Sequence, residues 1–173
     1  MHTRTPVIVC AVILFIAAPT LAQIENWVNV APPGAAFFIK MPAQPQKNVK
    51  DNITQYDYTE NPKTDKFLYV GIAVENLPLG AGEEYLKKEI DDFTSTLGGK
   101  TISTERHDYK KDSPTKQPYP GMLAKITKGS ANCLVASYVV NTKNYTMCYC
   151  AGSERYSQAE AERFLDSFVL INY

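Results

Sequence analysis

"ANCLVASYVVNTKNYTMCYCA", residues 131–151, decides the fold. Two β-prone runs, "ANCLVASYVV" and "NYTMCYCA", flank a tight turn near Asn141 to Asn144. That arrangement specifies an antiparallel hairpin. Alternation along its second half puts Tyr145, Met147 and Tyr149 on one side and Thr146, Cys148 and Cys150 on the other. The preceding "YPGMLAKIT" reads as a third strand, so the three form a meander.

Upstream, "ITQYDYT" (53–59) alternates with Tyr56 and Tyr58 on one face. "NPKTD" has turn chemistry and "KFLYVGIAVENLP" (66–78) follows as a longer strand, predicting a hairpin. "AAFFIKMP" reads as a strand ended by Pro42, whereas the polar "AQPQKNVKDN" (43–52) and "KKDSPTKQP" (110–118) read as loops. "KTISTERHDY" (100–109) is predicted as strand, and Trp27 is expected to dock the N-terminal segment on the domain.

The period changes twice. In "GAGEEYLKKEIDDFTSTLGG" (80–99), Leu86, Ile90, Phe93 and Leu97 fall on one helical stripe, and Gly98-Gly99 supplies a left-handed stop. Near the C-terminus, Ser157 and Glu160 have capping-box spacing, and Ala161, Phe164, Leu165 and Phe168 make a buried stripe before the β-like "FVLINY". The expected class is α+β: an antiparallel sheet of about six or seven strands flanked by a mid-chain helix and a C-terminal helix.

Length predicts one domain. Residues 1–22 have the layout of a signal peptide: Arg4 in a polar start, the apolar run "PVIVCAVILFIAA", and a T-L-A cleavage site ending at Ala22. The expectation is an exported chain, periplasmic or extracellular, with one domain over 23–173 and no membrane span once the signal is removed; retention of the segment as an anchor is the alternative. The full chain balances 18 basic against 18 acidic residues, and loss of Arg4 leaves a formal charge of about −1. Neither nucleic acid nor an anionic membrane is thereby favoured as partner.

The order of elements resembles a known family. "FFIKMPAQP" after a Trp-containing lead, a Tyr-bearing second strand, a helix following Pro78, "YPGMLAKI" before a hairpin and a closing "AERFLDSFVL" are similar to the PsbP/Mog1-like fold in its small exported bacterial form. The resemblance covers roughly residues 27 to 171 and implies an α/β/α sandwich acting as a non-enzymatic module. Named branches of that family are an extrinsic subunit of photosystem II and a partner of the Ran GTPase. The secretory N-terminus fits neither role, and the matching motifs are strand, turn and helix-packing chemistry.

No catalytic, cofactor-binding or metal-binding set is expected from the residues. His107, the one histidine left after cleavage, stands between Arg106 and Asp108, and neither a nucleophile elbow nor a phosphate loop occurs. Adjacent carboxylates such as Glu83-Glu84 and Asp91-Asp92 diverge on a helix and do not converge on one atom. A structural zinc would need a fourth ligand beside Cys133, Cys148 and Cys150, for which His107 is the only nitrogen candidate, and the three cysteines lack knuckle spacing.

If Asn141 pairs with Asn144, Cys133 faces Gly152 and lies diagonal to Cys150 on the same sheet face, within reach of a Cys133–Cys150 disulfide with Cys148 as buried filler. A one-residue change of turn length removes that option. Asn52 and Asn144 match glycosylation acceptors.

The leading expectation is therefore an exported, non-enzymatic binding or accessory domain for a protein partner. Two alternatives stand beside it. One is a thiol-dependent or hydrolytic enzyme using Cys148 or Cys150 with His107. The other is a carrier of a small apolar ligand on an aromatic surface formed by Tyr56, Tyr58, Tyr145 and Tyr149.

Overall fold

The computed structural model describes residues 26–171 apart from 79, 81 and 111–116. The signal segment with its cleavage point, and most of the 110–118 loop, lie outside the described residues. In chain order the elements are β1 (Val28–Val30), β2 (Phe37–Met41), β3 (Gln46–Lys50), β4 (Ile53–Glu60), β5 (Leu68–Asn76), α1 (Glu83–Leu97), β6 (Lys100–Arg106), β7 (Gly121–Lys128), β8 (Ala131–Val140), β9 (Lys143–Gly152), α2 (Gln158–Asp166) and β10 (Val169–Leu170).

Seven strands form one antiparallel sheet in the order β3-β4-β5-β9-β8-β7-β6. Successive strands β3 to β5 and β6 to β9 pair as neighbours, and the connection through α1 carries the chain from one half of the sheet to the other, so that β9 returns to lie beside β5. The central strands β8 and β9 are buried along nearly their whole length, and every residue from Asn144 to Gly152 is buried. This matches the α+β arrangement of a sheet flanked by two helices.

Two elements differ from expectation. The polar stretch at 46–50 is a strand: β3 pairs with β4 across a turn that holds Asp51 at φ 54°. All five of its residues are exposed, so burial leaves no alternation to read, and hydrogen bonds to β4 alone define it. Strand β2 leaves the main sheet and forms a second, three-stranded one with β1 and β10. Its Phe37, Ile39 and Met41 point inward, which makes the small sheet a lid instead of an extension.

That lid and α2 cover one face. Phe168 is the hub there, with its ring centroid 5.9 Å from Phe37, 5.5 Å from Tyr109, 6.2 Å from Tyr138 and 5.5 Å from Tyr145. Trp27 docks edge-on against Phe164, as its isolation in a polar lead suggests. Helix α2 starts at Ser157, whose hydroxyl accepts the Glu160 N–H at 3.3 Å. The Glu160 carboxylate is held in two hydrogen bonds by Arg155, at 2.6 and 2.7 Å. The opposite face is covered by α1, which ends where Gly98 takes φ 64°.

Removing the hub tests this account. Phe168→Ala is expected to lower unfolding stability by about 3–5 kcal/mol in a urea titration, because the site is enclosed by rings that cannot collapse into the space. A loss under about 1 kcal/mol would contradict the packing described.

Candidate functional site

Helix α1 sits off centre. It packs across β6, β7 and β8, leaving the same face of β4, β5 and part of β9 without a roof. The result is a cleft of about 690 Å³ between the helix flank and the sheet. Its depth comes from small residues on the strands below. Along β5 the cleft-facing positions include Gly71 and Ala73, opposite Cys148 and Thr146 of β9. A Cβ at Gly71 would come within 2.6 Å of the Tyr69 hydroxyl oxygen, so glycine there lets the tyrosine lie along the floor. Phe67 and Tyr69 form one apolar wall, Phe93 and Leu97 of α1 the other. Gln55 donates to the Tyr69 hydroxyl at 2.9 Å, fixing the ring.

One end of the cleft is sulfur. Cys133 and Cys150 are directly paired across β8 and β9, with Cα atoms 4.1 Å apart, and form a disulfide. The Cys148 thiol is free, buried, and 3.3 Å from the Cys150 sulfur. Burial pushes its pKa far above the usual thiol value, so it stays protonated at neutral pH. A buried neutral thiol is a poor nucleophile.

The other end is polar. Ser137, Asn144 and Thr146 hydrogen-bond to one another under α1, at 2.8 to 3.1 Å. Thr146 in turn donates to Glu89 at 3.3 Å. Glu75 accepts from Asn52 at 3.0 Å and from the Tyr85 hydroxyl. Burial and the neighbouring Glu75 charge raise the Glu89 pKa above the ordinary carboxylate range. Burial and the carboxylate it bonds likewise raise Tyr85.

The residues singled out from sequence are distributed differently. Tyr145, Tyr149 and Tyr56 are buried beneath the lid, and Tyr58 is half-buried against the same core. The expected aromatic surface is thus interior packing, because the face they share is the one that β2 and α2 cover. His107 is exposed, lies at a tilt to Tyr138 with ring centroids 6.0 Å apart, and lines a separate cavity of about 490 Å³. Tyr138 and the cysteines project from opposite faces of the sheet, so His107 is not brought to Cys148 or Cys150. The three sulfurs lie within 4.8 Å of one another, but two are spent in the disulfide. Asn52 is exposed on the β3–β4 turn; Asn144 is buried and hydrogen-bonded, closed to a glycan in the folded chain.

Sequence reasoning missed the cleft residues Gln55, Tyr69, Gly71, Ala73, Glu75 and Glu89. The Tyr69-x-Gly71-x-Ala73 alternation carried a signal: residues this small on one strand face leave a hollow unless something large covers them.

Two measurements check the chemistry of the two ends. In a chain spanning 23–173, a colorimetric thiol reagent at pH 7 is expected to find almost no reactive sulfur in the native protein, one per chain after denaturation, and three after denaturation with reduction. Glu89→Gln should raise stability at pH 7. A carboxyl whose folded pKa is raised contributes stability that is fully present below the unfolded value, about 4.3, and is lost as pH rises through the folded one. The variant's advantage should therefore vanish near pH 3.5–4 in matched urea titrations.

No family model matches the sequence, and no curated protein matches it. Among solved structures, the chain is similar to the solution structure of cyanobacterial PsbP (CyanoP) from Synechocystis sp. PCC 6803. The TM-score is 0.51 at 10% sequence identity, over 90% of this chain and 98% of that one. Likeness at that identity concerns the path of the backbone, not the side chains of a site. The chain has a PsbP-like α+β fold.

Proposed function

We propose that this chain is an exported, non-enzymatic binding domain whose binding site is the cleft beside α1, and that the occupant is a small, largely apolar molecule. The observation that carries this reading is the cleft itself: about 690 Å³, walled by Phe67, Tyr69, Phe93 and Leu97 and floored by Gly71 and Ala73. That volume falls in the range of small-molecule sites, roughly 300–1,000 Å³. Its apolar walls with a few polar groups at one end match how such sites hold and orient a ligand.

The non-enzymatic part of the reading is supported by chemistry. The free thiol is held neutral, and the histidine faces a different cavity across the sheet. Export is supported by the N-terminal layout of residues 1–22 and by the disulfide, a bond that persists in oxidising compartments. Among the described residues, no helix is long and apolar enough to cross a membrane.

N-phenyl-1-naphthylamine, a neutral fluorophore that brightens in apolar surroundings, tests the site. The protein is expected to bind it saturably at one site. Ala73→Phe, which fills the floor with a ring, should weaken binding at least tenfold, about 1.4 kcal/mol. Binding that is absent, or indifferent to this substitution, would sink the proposal.

A further inference from the structure

We propose that the cleft takes an amphiphilic cation: an elongated apolar group lying over Tyr69 and Phe93, with an amine at Glu75 and Glu89. This rests on reading the cleft as a ligand site and names the chemistry of its occupant. Phe67, Tyr69, Phe93 and Leu97 supply two apolar walls, and the carboxylates stand at the end away from the disulfide.

Charge complementarity carries the argument. The groups that hydrogen-bond Glu75 and Glu89 are neutral: the Asn52 amide, the Tyr85 hydroxyl and the Thr146 hydroxyl. Such donors orient a carboxylate without cancelling its charge. Among the described residues neither carboxylate is in an ion pair within 4.0 Å, and the lysine of the cleft nearest in sequence, Lys88, is engaged at 2.6 Å by Asp92. The second lysine lining the cleft, Lys128, ends β7 and pairs with Ala131 of β8, the strand that carries Cys133, so it stands at the sulfur end. Negative charge is therefore concentrated where the apolar trough ends. An ammonium there would relieve the Glu75–Glu89 repulsion and gain two charged partners. A ligand carboxylate would add a third like charge to a half-buried site, which is disfavoured. The Glu89 carboxyl, already raised by burial and by Glu75, records the same local excess.

The test uses the purified protein with N-phenyl-1-naphthylamine bound, titrated with dodecylammonium, dodecanol or dodecanoate below their micelle concentrations. Dodecylammonium is expected to displace the fluorophore at concentrations at least tenfold lower than dodecanoate, with dodecanol between. In the isosteric Glu75→Gln/Glu89→Gln variant that preference should fall to about twofold or less, with folding checked by circular dichroism. Equal displacement by the three, or preference for dodecanoate, overturns the inference while leaving the cleft reading in place. So does a preference for the amine that survives in the double variant. Failure of the wild-type protein to bind the fluorophore removes both.

Discussion

The register of the β8–β9 hairpin is the constraint on which the rest depends. Val140 pairs with Lys143 around Asn141, which takes φ 54°, and that pair is the first of ten that run in order along the hairpin. Because side chains alternate, a slip of one residue would carry Tyr145, Met147 and Tyr149 to the α1 face and bring Thr146, Cys148 and Cys150 under the lid. Both faces would then be wrong at once. The large rings would fill the cleft, and the polar Ser137–Asn144–Thr146 cluster would lose its contact with Glu89. Because every residue of β9 from Asn144 to Gly152 is buried, no exposed position is available to absorb the error.

Much of this was legible beforehand. Strands with alternation or apolar runs, and helices with a stripe and a stop signal, could be located from Tyr56, Leu86, Gly98 and Ser157 alone. Pairing Asn141 with Asn144 puts the hairpin turn at 142–143, one residue later than the observed turn at 141–142. That shifts every pairing by two, so side-chain faces were kept while Cys133 moved from diagonal to directly opposite Cys150. Parity is the robust quantity in a hairpin, and partner identity is the fragile one.

Other features were not legible because their cause is not local. Strand β3 has no buried residue, so nothing in its own pattern distinguishes it from loop. The cleft depends on where α1 lies over the sheet. That follows from which strands its Leu86 and Ile90 find, not from the stripe itself. The expected aromatic surface was a misleading guide: Tyr56, Tyr58, Tyr145 and Tyr149 pack toward the lid, whereas the rings lining the cleft are Phe67 just before β5, Tyr69 on β5, and Tyr85 and Phe93 on α1. Small residues, which leave space, marked the site better than large ones.

The disulfide has a mechanical consequence. It joins residues 17 apart in sequence at the far end of the hairpin from its turn, so the chain between Cys133 and Cys150 is a closed loop. Tension applied to the two ends of the molecule passes from one sulfur to the other and bypasses everything between. Fully drawn out, that loop would add roughly 60 Å of length, and none of it is accessible to a pull while the bond is intact. The central hairpin is thus shielded from force by a covalent clasp, whereas β3, the lid and α1 lie outside the clasp and carry the full load.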